Sequence, residues 1–208
     1  MAAGHILVDG YVSIVTPLLA YLAAVLSISE KRAGGFYAAV ALSSSLSQPV
    51  WGYLSDRFGG RALLILSPIA AAGMVGLGFM PSYWPMVLLI AAAGAATGAY
   101  HPVSGALAGR LARPAAAMGM AVFVGAGMIG VGLAPVGATQ IVARWGLKAL
   151  VPLAIPAPLL SFALWRTFRR TELGGSATGR FSLRGAFGDQ LQPIVLLFVT
   201  AVMRAFPI

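Results

Sequence analysis

Six long apolar stretches follow one another along the chain, and each is long enough to cross a lipid bilayer as a helix. A transmembrane helix needs about 20 largely apolar residues to span about 30 Å of hydrocarbon. The stretches that satisfy this requirement are residues 6–28, 34–54, 62–80, 84–108, 116–139 and 147–167. A seventh apolar stretch begins at Pro193 and is cut short at Ile208. This pattern predicts an all-α membrane protein.

The scarcity of charge excludes a water-soluble fold. Charged residues make up 9% of the 208 residues, whereas a soluble domain carries about 25%. A globule of this length could not cover its surface with so few charges, so we expect the lipid bilayer as the surrounding partner. The net charge of +9 is then better explained by basic loops near anionic lipid than by nucleic acid, which we do not expect as a partner.

Cysteine is absent from the sequence. Its absence excludes disulfides, thiol catalysis and metal sites built on cysteine. No nucleophile–base group and no cluster of metal-ligating residues stands out among the two histidines and five acids. We therefore expect neither an enzyme nor a cofactor, with no catalytic residue and no metal site.

Lysine and arginine are unevenly divided between the two sets of loops. With a cytoplasmic N-terminus, nine of them fall in the inner loops: Arg57, Arg61, Arg110, Arg113, Arg166, Arg169, Arg170, Arg180 and Arg184. Four fall in the outer loops: Lys31, Arg32, Arg144 and Lys148. The positive-inside rule therefore predicts a cytoplasmic N-terminus, in a multi-pass protein of a bacterial-type inner (plasma) membrane.

The two ends of the chain carry their own expectations. Met1–His5 lacks the positive charge that precedes a cleavable signal peptide, so the first stretch is expected to remain in the mature protein. A polar, glycine-rich segment from Arg169 to Ser176 predicts a cytoplasmic linker. We expect a six-span bundle at 1–167, a linker at 168–192, and the truncated start of a second bundle at 193–208.

The loop between the second and third stretches carries the most specific motif. It reads Gly52-Tyr53-Leu54-Ser55-Asp56-Arg57-Phe58-Gly59-Gly60-Arg61 and resembles the major facilitator superfamily signature Gly-x-Leu-Ala-Asp-Arg-x-Gly-Arg-Arg/Lys. The resemblance implies the six-helix N-terminal bundle of the major facilitator fold plus a truncated seventh span. It also implies a conformational latch, whose residues here are Gly52, Asp56, Arg57, Gly59 and Arg61. Gly60 departs from the signature, which has a basic residue there.

The chemistry of these loop residues agrees with a latch. Gly52 permits close helix contact at the end of the second stretch. Asp56 can pair with a cation or cap the start of the third stretch, while Arg57 and Arg61 anchor the loop inside the cell. The alternative interpretation is an ordinary basic turn.

Two shorter elements resemble the fosmidomycin-resistance branch of the superfamily, a branch of drug efflux proteins. They are His5-Ile6-Leu7-Val8-Asp9-Gly10 in the first stretch and Ala99-Tyr100-His101-Pro102 in the fourth. Arg204 matches a basic position early in the branch's seventh span. The resemblance implies a secondary transporter of a small drug-like or anionic solute, coupled to protons as an antiporter.

Three ionisable residues inside apolar stretches are the candidate site: Asp9, His101 and Arg204. Such residues are costly in a membrane and often mark ion or substrate pathways. The resemblance implies that spans one, four and seven line a central cavity. The helical rise brings Asp9 and His101 to similar depths, where a carboxylate and an imidazole could exchange a proton. We assign all three residues to a substrate and proton pathway.

Simpler roles are open for each residue of this candidate site. Asp9 could be solvated at the membrane interface, and Arg204 could contact lipid phosphate. His101 could bond a carbonyl freed by the kink at Pro102. His5 is expected at the interface rather than in the site.

Small residues dominate the fifth stretch. Between Gly125 and Gly137 there are five further glycines and alanines: Ala126, Gly127, Gly130, Gly132 and Ala134. This density predicts close helix packing. It also loosely resembles the glycine–proline motif of proton-coupled exporters, with Ala134 where a glycine precedes the proline.

A non-transporting product is the alternative to a transporter. The fold implied by the resemblance transports with two six-span halves, and this chain contains one. Its partners would then be a missing C-terminal half, the small-molecule substrate and protons. A truncated product or a scaffold half would lack the transport activity.

Overall fold

The computed structural model describes residues 1–171 together with Leu173, Gln192, Val195, Leu196 and Val199. The chain divides into two compact units, Met1–Ser176 and Ala177–Ile208. In the second unit the four described residues are helical. The predicted linker at 168–192 and second bundle at 193–208 therefore stay predictions, and everything below concerns the first unit.

Helices make up almost all of the first unit, and its described residues contain no strand. The α-helices are α1 (Ala2–Ser13), α2 (Val15–Leu26), α3 (Glu30–Leu46), α4 (Gln48–Phe58), α5 (Arg61–Ala71), α6 (Tyr83–Leu111), α7 (Ala116–Trp145) and α8 (Pro156–Phe168). Two 3₁₀ segments join them, Ala72–Phe79 after α5 and Leu147–Ala154 before α8.

Five helical stretches in the described part of the chain are long and apolar enough to cross a membrane. They are Ala2–Leu26, Arg61–Phe79, Tyr83–Leu111, Ala116–Trp145 and Leu147–Phe168. Each stretch corresponds to one of the predicted spans, and most of their ends agree to within a few residues. The prediction of an all-α membrane protein is confirmed.

The predicted span at 34–54 is the exception. It lies on α3 and α4, which are 17 and 11 residues long and do not reach the length and hydropathy of the other five stretches. The reason is the polar run from Ser43 to Gln48 in the middle of the pair. Two of these serines face protein: a Cβ added to Gly94 of α6 would collide with the Ser43 hydroxyl, and one added to Gly98 would collide with the Ser47 hydroxyl.

Prolines account for the two breaks between consecutive helices. Pro17 has no N–H to bond the carbonyl of Ser13, and α1 ends at Ser13. Pro49 lies just after the break at Ser47 between α3 and α4. Pro102, in contrast, lies inside the unbroken helix α6. The residue before it, His101, therefore keeps a fixed place on a long, buried helix.

Helix α1 occupies the position that matters most for function. It packs along α7 and also contacts α6, while α3 and α5 pack on the other sides of α6. The approach of α1 to α7 is close because Gly130 has no side chain, and a Cβ there would collide with the carbonyl of Ile6. Side chains on the inner face of α1 are thus enclosed between α6 and α7.

Candidate functional site

Three ionisable side chains from α1 and α6 meet where both helices face α7. His5 and Asp9 lie four residues apart on one face of α1, and His5 Nε2 is 3.0 Å from Asp9 Oδ2. The other carboxylate oxygen, Asp9 Oδ1, is 3.1 Å from His101 Nε2 of α6. The two Nε2 atoms are 3.2 Å apart. We name these three residues the His-Asp-His cluster.

The remaining ring nitrogens of the cluster are held by backbone carbonyls. His5 Nδ1 lies 2.7 Å from the carbonyl oxygen of Phe123, and His101 Nδ1 lies 2.7 Å from that of Thr97. A carbonyl oxygen only accepts hydrogen bonds, so each Nδ1 must carry the hydrogen. A neutral imidazole in this tautomer presents a lone pair at Nε2.

Unless a proton or another cation is present, the cluster consequently places hydrogen-bond acceptors next to one another. With neutral imidazoles and an ionised Asp9, every atom directed at the centre carries a lone pair and no hydrogen. A proton on either Nε2 relieves part of this repulsion, because the imidazolium then donates a charge-assisted hydrogen bond to the carboxylate. The geometry therefore requires at least one proton, or another cation, among the three residues.

The surroundings of the cluster are closely fitted to it. The whole of His5 is 5% exposed, and the side chains of Asp9 and His101 are 14% and 24% exposed. The His5 ring stacks on that of Phe123 with centroids 4.0 Å apart. On the α7 side, a Cβ at Gly127 would lie only 2.6 Å from Asp9 Oδ2 and 2.8 Å from His5 Nε2. The most open side of the cluster is at His101.

Two of the three predicted pathway residues are brought together, and a third partner was missed. Asp9 and His101 are in contact, whereas Arg204 lies outside the described residues. His5, which we expected at the interface rather than in the site, is buried and in contact with both of them. The signal that could have found it is the spacing of His5 and Asp9, since residues four apart share a helix face.

The simpler roles of Asp9 and His101 can now be compared with the structure. Asp9 has both carboxylate oxygens directed at imidazoles, so it is not a side chain solvated only at the surface. His101 does bond a carbonyl, but that carbonyl is Thr97 and not Gly98, the one freed by Pro102. Its Nε2 still faces Asp9.

The predicted latch loop joins α4 to α5 and is held mainly by its arginines. Arg57 Nη1 donates to Tyr53 Oη at 2.9 Å, and Arg61 Nη2 donates to the carbonyl of Thr171 at 2.8 Å. Gly59 has φ of +90°, a conformation that favours glycine. Asp56 is exposed and makes no ion pair among the described residues. It does not cap α5 either, because Gly60 occupies that position.

The closely packed glycine of this loop is not the one we expected. A Cβ at Gly52 would make ordinary contact with Pro102, at 3.7 Å, so helix approach does not depend on glycine there. Gly60 is buried, and a Cβ on it would lie 2.8 Å from the Val103 side chain. The backbone N–H of Gly60 also donates to the carbonyl of Leu173. Gly60, where this chain departs from the signature, is thus a position at which close packing leaves no room for a side chain.

Comparison with known families decides the fold family of this chain. Residues 1–207 match the Major Facilitator Superfamily, which is almost the entire sequence. The chain belongs to the Major Facilitator Superfamily. This agrees with the superfamily predicted from the loop motif, while the fosmidomycin-resistance branch stays a prediction.

Proteins similar to this chain include efflux pumps and a solved peptide transporter. The multi-drug resistance efflux pump PmrA of two Streptococcus pneumoniae strains is 32% identical over 92 residues, covering 41% of this chain and 23% of each pump. The crystal structure of a mutant peptide transporter POT in complex with sulfate superposes with a TM-score of 0.68 at 18% identity. That superposition covers 98% of this chain and 44% of the transporter, so the chain spans less than half of that fold.

Proposed function

We propose that this chain is the N-terminal bundle of a secondary active transporter that exports a small solute in exchange for protons. The observation that carries the proposal is the convergence of three acceptors in the His-Asp-His cluster. Membership of the superfamily and the similarity to a multi-drug efflux pump support transport and efflux. The cluster supports the proton as the coupling ion.

The cluster offers a direct link between protonation and helix movement. When a proton is bound, an imidazolium–carboxylate pair draws α1 and α6 together. When the proton leaves, lone pairs of α1 and α6 face one another at 3.1 and 3.2 Å, and the two helices repel at this point. In a transporter that rocks two bundles about a central site, this change would favour different conformations of the loaded and unloaded protein.

The rest of the proposal follows from the sequence. The excess of arginine in one set of loops supports a cytoplasmic N-terminus in a bacterial-type inner membrane. Arg204, in the predicted seventh span, would pair with an anionic group of the solute. A drug-like or small anionic solute is the class that the predicted branch implies.

Inverted membrane vesicles carrying the full-length gene product test this function. An acid interior is generated and followed with a pH-sensitive dye, and a panel of drug-like and small anionic solutes is added. We expect solutes that are transported to release protons from the vesicles. Asp9→Asn, His101→Gln and His5→Gln should each reduce this release to the level of vesicles without the protein.

The control variant is Glu30→Gln, which removes an exposed acid at the start of α3 away from the cluster. It should leave solute-driven proton release unchanged. Persistence of the release in both Asp9→Asn and His101→Gln would refute the proposed coupling. If the full-length protein binds solutes and moves neither solute nor protons, a non-transporting protein is the better description.

A further inference from the structure

The donor atoms of the His-Asp-His cluster also have the arrangement of a metal site. His5, Asp9 and His101 each offer one ligand atom, and these atoms lie within 4.8 Å of one another. From this arrangement we infer that the cluster binds a divalent transition-metal ion of the Zn²⁺ class. The inference concerns the three residues themselves and holds whether or not the chain transports a solute.

The distances between the donor atoms suit a small tetrahedral ion. Zn–N bonds of about 2.0–2.1 Å in tetrahedral geometry put neighbouring ligand atoms about 3.3–3.4 Å apart. In the cluster the two Nε2 atoms are 3.2 Å apart. His5 Nε2 lies 3.0 Å from Asp9 Oδ2, and His101 Nε2 lies 3.1 Å from the other carboxylate oxygen, Oδ1. A rotation of the Asp9 carboxylate that brings one oxygen toward both nitrogens would complete the set of three ligand atoms, which already lie within 4.8 Å of one another.

The outer hydrogen bonds already prepare both imidazoles for a metal. Histidines that bind metals almost always donate their other ring N–H to a carbonyl or carboxylate, which fixes the tautomer and the ring direction. His5 does this to Phe123 and His101 does it to Thr97, both at 2.7 Å. A lone pair at each Nε2 then points at the place where the ion would lie.

The chemistry of the donor set selects the class of metal. Two imidazole nitrogens and one carboxylate oxygen suit Zn²⁺ and its neighbours such as Co²⁺ and Ni²⁺. Ca²⁺ and Mg²⁺ prefer six or more oxygen ligands, which this buried group does not supply. With three protein ligands, one coordination position stays open for water or an anionic ligand. That position would face the more exposed side of the cluster at His101.

A metal ion and the coupling proton would occupy the same atoms. Where the proposed function holds, and only there, Zn²⁺ should therefore inhibit solute-driven proton release. The direct measurement of metal binding does not depend on that function. A chain that binds Zn²⁺ at the cluster and shows no proton coupling would retain this inference and refute the proposed function. Proton coupling without Zn²⁺ binding would refute this inference and retain the proposed function.

Titration of the purified chain in detergent with ZnCl₂, by calorimetry, tests the inference. The chain must carry no polyhistidine tag, since its own two histidines are the ligands in question. We expect one ion per chain, and a second titration with CoCl₂ should give the intense visible bands of four-coordinate Co²⁺. Magnesium chloride in large excess should not displace either ion.

Variants decide whether the bound ion lies in the cluster. Losing a second-shell partner alone costs about 10–100-fold in metal affinity, so His5→Gln, Asp9→Asn and His101→Gln should each weaken Zn²⁺ binding by more than about 100-fold. Glu30→Gln should bind as tightly as the original chain. Circular dichroism and size-exclusion profiles identify any variant that has failed to fold.

Two results would overturn the inference. One is a folded original chain that binds no Zn²⁺ and gives no Co²⁺ spectrum. The other is binding of undiminished affinity in all three folded cluster variants, which would assign the ion to another part of the chain. Should one cluster variant fail to fold, the Co²⁺ spectra of the other two still decide between these outcomes.

Discussion

Gly127 is the residue of α7 that makes room for the His-Asp-His cluster. A Cβ added at this position would lie 2.6 Å from Asp9 Oδ2 and 2.7 Å from the His5 ring. We predict that Gly127→Ala separates His5 from Asp9 and greatly weakens both Zn²⁺ binding and solute-driven proton release. Overpacking of this kind costs about 1–3 kcal/mol, so the variant should also melt at a lower temperature in detergent.

Gly125, two residues earlier on the same helix, provides the matched control. A Cβ there would have no atom within 4 Å. Gly125→Ala should keep metal binding and proton release, and helix propensity favours alanine over glycine by about 0.5–1 kcal/mol. Equal losses in the two variants would mean that glycine on α7 matters for the helix in general and not for the cluster.

The sequence predicts the costly residues of the site better than it predicts their neighbours. Asp9 and His101 stand out because an ionisable side chain inside an apolar stretch is costly in a membrane and is usually kept for a function. His5 did not stand out, because its position near the N-terminus suggested the interface. Similarly, the signature directs attention to Gly52, whereas two of the three atoms that crowd Gly60 come from Val103, some forty residues away. Such contacts are visible only once the helices are packed.

At the scale of elements, the loop between α4 and α5 gives a prediction that opposes the family pattern. The signature has a basic residue where this chain has Gly60. From the family pattern alone, restoring that basic residue by Gly60→Arg would be expected to strengthen the latch. The structure indicates the opposite, because a Cβ at Gly60 would meet both Ser55 and Val103 at 2.5 to 2.9 Å. We predict that Gly60→Arg lowers the melting temperature in detergent, by a free energy of about 1–3 kcal/mol.

Gly34→Arg is the control for size and charge, since a Cβ at Gly34 has no atom within 4 Å. It should leave the melting temperature unchanged or slightly raised. Gly60→Arg should additionally expose the segment near Leu173, whose carbonyl accepts the Gly60 N–H, to limited proteolysis. A Gly60→Arg variant as stable and as protease-resistant as the original chain would contradict the packing described here.

The helices themselves were largely predictable from hydropathy, whereas their breaks are marked by prolines and not by hydropathy. Long apolar stretches determine where helices such as α6 and α7 lie, because unpaired backbone groups cannot remain in hydrocarbon. The break at Ile14 and the 3₁₀ segment Ala72–Phe79 depend on how a proline and its neighbours pack. Hydropathy carries no information about either.

At the scale of the whole molecule, the pair α3 and α4 differs from the other helices in how it would sit in a bilayer. Within the polar run from Ser43 to Gln48, Ser43 and Ser47 lie against glycines of α6, so their hydroxyls are shielded by protein and not by lipid. A bundle can therefore include a helix that is too polar to cross a membrane alone. The assignment of 34–54 as a span thus draws its support from the superfamily fold and not from its own hydropathy.

The orientation of the whole bundle can be tested because the chain has no cysteine of its own. Single cysteines introduced as Ser82→Cys and Ala115→Cys lie in exposed loops at opposite ends of α6. The loop at Ala115 is flanked by Arg110 and Arg113, whereas the loop at Ser82 has no charge. By the positive-inside rule, a membrane-impermeant maleimide should label Ser82→Cys in intact cells and Ala115→Cys only after permeabilisation. The reverse pattern would put the N-terminus outside and would direct the His5 end of α1 to the external solution.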